Sequence, residues 1–221
     1  MKHISATHPV FDHPIYKTIA QAPLYRDQMM LYWQGMGSYC APTREGHALP
    51  QTLAKADMVV ASQLVASIFA SEAGHDIELA ITAKYLAERC RNREQIARTH
   101  ITSLKLLRTI FDQRKSTDPR AIPHNLGILL GIEKLANRNI IPGEVAAFIT
   151  SGHYDCSLKT PEMRYLADHY GELGAEEDHE RKIVEVVSKL PNESAAISAG
   201  ETTIYEATQT FYDEMQDKLA L

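Results

Sequence analysis

Cysteine is sparse in this chain and oddly placed. Cys40, Cys90 and Cys156 lie far apart with no CxxC pair, which argues against a disulfide framework and a zinc knuckle. A reducing, cytoplasmic setting is the corresponding expectation. Positive charge is not in excess: the net charge is −5 over 221 residues, whereas nucleic-acid binders carry a basic face. No run of 18 apolar residues occurs, so no segment is predicted to span a membrane. The opening MKHISATHPVFDHPIYK lacks the apolar core of a signal peptide. Glycine and proline number only 11 and 10, and no alternating apolar–polar stretch of any length appears. A turn-rich β fold is therefore disfavoured.

What remains is helical spacing. An all-α fold is expected, organised as one domain over residues 1–221, a length sufficient to bury a full core. Helices are predicted from Tyr16 to about Gly35, from Gln51 to about Gly74, from about Asp76 to Arg91 and from about Arg93 to Arg114. Further helices are predicted over Leu126–Arg138, after Pro142, from Pro161 to Leu190, and from about Thr202 to Leu219. Residues 36–50, with Gly37, Pro42, Gly46 and Pro50, read as a loop.

The informative anomaly is titratable side chains on apolar faces. In the stretch after Pro161, His169, Glu172, Glu176 and His179 fall at i, i+3, i+7 and i+10. On one continuous helix they would share an arc of about 80°. That arc continues into Ile183 and Val187, while Asp178, Arg181, Glu185 and Lys189 occupy the opposite face. Upstream, Glu72 extends a face formed by Val65, Ile68 and Phe69, and His75 follows one turn later. Glu133 sits among Leu126, Leu129, Leu130, Ala136 and Ile140. Unpaired buried charges cost several kcal/mol each, so these groups require partners. A divalent cation satisfies imidazoles and carboxylates together, and carboxylate-bridged di-iron or di-manganese bundles are built in this way.

These segments resemble the heme-oxygenase-like fold group, which includes thiaminase II, pyrroloquinoline quinone synthase and the heme-oxygenase-like di-iron oxidases and oxygenases. VASIFASEAGHD resembles the segment carrying the group's first glutamate, here Glu72. LGILLGIEKLANRNIIPGEVAAFIT resembles the glutamate helix, here with Glu133, followed by a short helix. MRYLADHYGELGAEEDHERKI resembles the third ligand helix, and IYEATQTFYDEM the closing aromatic helix. The resemblance implies a helical bundle of about seven to eight helices. It implies metal ligands drawn from Glu72, His75, Glu133, His169, Glu172, Glu176 and His179. Either His169 or Glu172 fills the first position of the third helix. His75 fills the second-helix position, with His100 as its rival, because Leu79 stands seven residues after Glu72, where many members place a ligand.

The same resemblance implies two iron ions, with manganese as the other metal such donors favour, and O2 as co-substrate. The substrate would be an amino acid, a fatty acid or another small carboxylate, undergoing N-oxygenation, C–C cleavage or desaturation. Trp33, Tyr39, Phe69, Phe148 and Tyr165 are candidates to line its pocket. A homodimer is the default assembly. Two other readings stay open. One is a metal-free enzyme of the same fold, either quinone-synthase-like or thiaminase-like with Cys156 as nucleophile. The other is a non-enzymatic helical interaction protein whose titratable stripe faces outward.

Overall fold

The computed structural model describes residues 8–44, 48–93, 100–113, 115–171 and 175–219. Among them the fold is an all-α bundle with no strand, as the sequence led us to expect. The helices are α1 (Ile15–Gln21), α2 (Arg26–Arg44), α3 (Ala48–Lys55), α4 (Val59–Ser71), α5 (His75–Glu88) and α6 (Ser103–Gln113). They continue with α7 (Ile122–Leu135), α8 (Ile141–Glu144), α9 (Arg164–His169), α10 (Ala175–Ser188) and α11 (Ser194–Leu219). Among the described residues no helix is long and apolar enough to cross a membrane.

Helix α7 is the central element. Nearly every side chain from Ile122 to Leu135 is buried, the signature of a helix surrounded by protein on all sides. Its most extensive partner is α11, with α10 and α3 on its other flanks. The α7–α11 contact depends on glycine: a Cβ at Gly127 would lie 2.0 Å from the Ile197 carbonyl oxygen, and one at Gly200 would lie 2.1 Å from that of His124. Two apolar clusters result. One joins α2, α5, α6 and α11, and the other joins α3, α4, α7 and α10.

The chain remains helical from Ile122 to Thr150 through two widened, π-type turns, Ala136–Ile140 and Val145–Thr150. The first immediately precedes Pro142. Proline has no N–H to continue an α-helical ladder, and a widened turn accommodates it without a break.

Five sequence expectations require correction. The stretch from Tyr16 to Gly35 is two helices, α1 and the first half of α2, separated at residues 22–25, and the helix expected from Arg93 to Arg114 is described only from Ser103, residues 100–102 being non-helical. Residues 36–44 are not a loop but the second half of α2, and α3 begins at Ala48. Core packing outweighs the low helix propensity there: the buried Met36 and Tyr39 anchor the segment, and Pro50 falls in the first turn of α3, where a missing N–H costs little. The stretch from Gln51 to Gly74 is two helices, divided near Asp57, whose φ of 59° is left-handed. The stretch from Pro161 to Leu190 is likewise broken. Helix α9 ends at His169, Gly171 adopts φ 95°, and α10 starts at Ala175.

Candidate metal centre

The break after His169 removes the single-helix geometry expected for His169, Glu172, Glu176 and His179. Nevertheless His169, at the end of α9, and His179, inside α10, are both buried. Helix packing rather than a shared stripe brings them near Glu72. Glu172 lies outside the described residues, and Glu176 is described only through its backbone in α10.

Glu72 caps the C-terminus of α4 and His75 is the first residue of α5. Between them Gly74 takes φ 97°, a conformation open to glycine without penalty. The E-x-x-H pair therefore spans a corner between two helices, and the corner turns both side chains toward one point. Glu133 comes from α7 and is buried, though its neighbours on that helix are almost all apolar.

Five helices thus supply five titratable groups. Ligand atoms of Glu72, His75 and His169 all lie within 4.8 Å of one another. His179 Nδ1 is 3.5 Å from a Glu72 oxygen and 3.4 Å from a Glu133 oxygen. The rings of His75 and His169 meet edge-on, with centroids 4.4 Å apart.

Hydrogen bonding fixes which nitrogen His75 and His169 offer. His75 Nδ1 donates to Glu72 at 2.9 Å, and His169 Nδ1 donates to the Tyr165 carbonyl at 2.6 Å. Each therefore keeps a lone pair on Nε2 when neutral. The Ser71 hydroxyl lies 2.8 Å from the Ile68 carbonyl and 2.7 Å from His179 Nε2. When it donates to the carbonyl it accepts from Nε2, and neutral His179 then has its Nδ1 lone pair free for a metal. That buried Nδ1 has no hydrogen-bond partner among the described residues, although it stands close to both carboxylates.

Electrostatics follow from this crowding. Burial acts to raise the Glu72 pKa, but the His75 hydrogen bond and the neighbouring imidazoles outweigh it and hold the carboxyl below its ordinary value. Burial lowers the His169 pKa and so favours its neutral, ligating form. Beside the cluster is a cavity of about 50 Å³, lined by Tyr39, Phe69, Glu72, His75, Glu133 and Tyr165 among others. It lies at the seam of the two apolar clusters.

One turn beyond the cavity-lining Ile140 and Ile141 is a second buried polar group, Glu144. It accepts a 2.8 Å hydrogen bond from Tyr32, and its other oxygen has no partner among the described residues. Burial pushes its pKa up to about 8. The Tyr16 and Tyr212 hydroxyls, 3.1 Å apart, continue the network to Asn139.

Of the residues expected to line a pocket, Tyr39, Phe69 and Tyr165 face this cavity. Trp33 and Phe148 do not: Phe148 is packed among Tyr32, Trp33 and Tyr154, and Trp33 lines a separate groove. His100 is exposed, because the described helix on its side begins only at Ser103, and it is no rival to His75. Cys156 is half-buried outside the cavity, its thiol donating to the Phe148 carbonyl at 3.3 Å, and burial raises its pKa. An uncharged, hydrogen-bonded thiol is a poor nucleophile. Sequence reasoning missed Ser71 and Cys40. Cys40 lines the cavity, but it sits in the segment read as a loop, and the Ser71–His179 bond joins residues 108 positions apart.

No family model matches the chain, and no curated protein matches it. Among solved structures, the chain is similar to a CADD-like protein of unknown function from Nostoc punctiforme. The TM-score is 0.65 at 16% identity, over 95% of this chain and 90% of that one. The likeness is one of fold.

Proposed function

We propose that this chain is a non-heme iron protein of the heme-oxygenase-like di-iron group, an oxidase or oxygenase that uses O2 on a small carboxylate-bearing substrate. Glu72, His75, Glu133, His169 and His179 would hold the ions. The observation that carries the reading is His179, whose buried Nδ1 has no hydrogen-bond partner among the described residues yet stands 3.5 and 3.4 Å from the carboxylates of Glu72 and Glu133. Three imidazoles with two or more carboxylates form a donor set suited to Fe(II) or Mn(II).

When bound, iron supplies the activation of O2. The chain's own residues supply position and dryness. The Tyr165 carbonyl and Ser71 hydroxyl fix the His169 and His179 rings, as outer hydrogen-bond partners of metal ligands commonly do. His75 and Glu72 orient each other across the α4–α5 corner. Phe69, Tyr39 and Tyr165 wall the cavity and restrict water. Burial of His169 and His179 counts against the interaction-protein alternative, which requires an outward stripe.

The test is O2 consumption by Fe(II)-loaded protein against a panel of amino acids and fatty acids. Substrate-dependent uptake, abolished in Glu72→Ala, is the expected result. Uptake that is absent with every substrate, or unaltered in Glu72→Ala, would overturn the oxidase reading.

A further inference from the structure

Beyond the cavity, buried polar groups are joined in a chain. Tyr32 donates to Glu144 at 2.8 Å, and Tyr16 bonds both Tyr32 and Tyr212. Tyr212 in turn donates to Asn139 Oδ1 at 3.0 Å. The Asn139 amide is fixed in this orientation, because its Nδ2 donates to the Phe11 carbonyl at 3.0 Å. Glycine makes the close packing possible: a Cβ on Gly143 would lie 2.3 Å from the Tyr16 ring.

Among the described residues the chain has four links, Glu144–Tyr32, Tyr32–Tyr16, Tyr16–Tyr212 and Tyr212–Asn139, and each needs one proton. The three phenols supply one each, and Asn139 Oδ1 has none to give. With Tyr32 donating to Glu144 and Tyr212 donating to Asn139, the single Tyr16 proton serves only one of its two neighbours. An ionised Glu144 therefore leaves one link empty in a dry interior, where an unmade hydrogen bond is costly. A proton on Glu144 Oε1 lets Tyr32, Tyr16 and Tyr212 all donate in one direction and fills every link. When that proton leaves, the three hydroxyls turn the other way and the empty link moves to the Asn139 end. The phenols keep their own protons, because burial holds all three well above their ordinary range. Three elements lead from this chain to the cavity beside the cluster. Glu144 follows the cavity-lining Ile140 and Ile141 by one turn, and Tyr32 precedes the cavity-lining Tyr39 by two turns on the same face of α2. On α11, Tyr212 is near enough to Tyr39 for their charges to interact. The cavity, at about 50 Å³, has room for about one or two waters.

We infer that Glu144 is the proton donor of this site: its carboxyl, kept loaded by the Tyr32, Tyr16 and Tyr212 hydroxyls, delivers one proton through cavity water to the oxygen reduced there. No oxidation state changes in this step. A proton leaves Glu144, the carboxylate accepts from Tyr32, and the return of one proton from solvent restores the starting arrangement. The donor role rests on the proposed function, whereas the loaded chain requires no metal.

Infrared spectroscopy of metal-free protein tests the loaded chain. Wild type at pH 7 should show the carbonyl stretch of a protonated carboxylic acid, shifted in D2O and missing in Glu144→Gln. Tyr16→Phe leaves two links for two phenolic protons, so Glu144 no longer needs its own, and the band should vanish at a lower pH than in wild type. Burial alone predicts no such lowering, since phenylalanine is the less polar neighbour. Fe(II)-loaded protein tests the role. The band should weaken when O2 is admitted with a substrate that supports uptake. Glu144→Gln should retain iron as wild type does and consume O2 at least about tenfold more slowly. No band in wild type, or a band that persists to equal or higher pH in Tyr16→Phe, would overturn the inference and leave the oxidase reading standing. O2 uptake at the wild-type rate in Glu144→Gln would overturn the donor role, again without touching the oxidase reading. Wild type that holds the band yet consumes no O2 with any substrate would overturn the oxidase reading, and the donor role with it.

Discussion

Replacing Glu144 by glutamine should change how stability depends on pH, with a sign and size that follow from burial. The Glu144 carboxyl is fully enclosed, accepts from Tyr32 and leaves its second oxygen without a partner among the described residues. Desolvation therefore favours its protonated form and lifts its pKa from 4.5 to about 8. In the unfolded chain the group titrates near its ordinary value. Between those two pH values the folded state retains a proton that the unfolded state has released, so stability falls as pH rises and levels off above the folded pKa. The full effect is on the order of 5 kcal/mol, at 1.36 kcal/mol for each unit of separation. Glutamine keeps the shape and can still accept from Tyr32, but it cannot ionise. Urea unfolding of both proteins at pH 5, 6.5, 8 and 9 isolates the term, because all other titrations cancel in the difference. The variant should match wild type near pH 5 and exceed it by several kcal/mol at pH 9. A difference that stays constant with pH would show that Glu144 does not carry a buried proton.

Other consequences are simpler to state. Gly200→Ala drives a Cβ into the backbone of α7 and should cost about 1–3 kcal/mol in denaturant unfolding; an unchanged midpoint would refute the close α7–α11 approach. Gly74→Ala meets no atom within 4 Å but must adopt φ 97°, so a smaller loss of about 1–2 kcal/mol is expected. Ser71→Ala removes the hydrogen-bond partner of His179 Nε2 and should weaken Fe(II) binding about 10–100-fold while leaving the fold intact by circular dichroism. Cys156→Ser should leave substrate-dependent O2 uptake at the wild-type level, and loss of that uptake would revive a cysteine-centred mechanism.

The sequence revealed which residues belong together better than how they come together. Glu72, His75, Glu133, His169 and His179 were recognisable because each interrupts an apolar helical face, and the burial of Glu133, His169 and His179 has the same origin. The geometry expected for the last two was not correct. A period of 3.6 residues runs across Tyr170 and Gly171 without interruption, but the helix ends where Tyr170 turns extended and Gly171 takes a left-handed φ. The loop expected at residues 36–50 failed for the opposite reason. Glycine and proline there disfavour a helix locally, while Met36 and Tyr39 gain more from the core than those residues lose. Ser71 could not be found by pattern at all, because its role rests on one hydrogen bond between distant segments. Trp33 and Phe148 illustrate a further limit: aromatic character marks burial but not which cavity a ring faces.

In the proposed reading, His179 Nδ1, Glu72 and Glu133 come together around a bound cation. Anaerobic addition of Fe(II), followed by desalting and elemental analysis, measures that directly in wild type and in a His179→Ala, Glu133→Ala double variant. Wild type should retain close to two ions per chain, with a higher unfolding temperature than the metal-free protein, and the variant should retain far less. Wild type that emerges without iron, or a variant that holds as much as wild type, would contradict that reading.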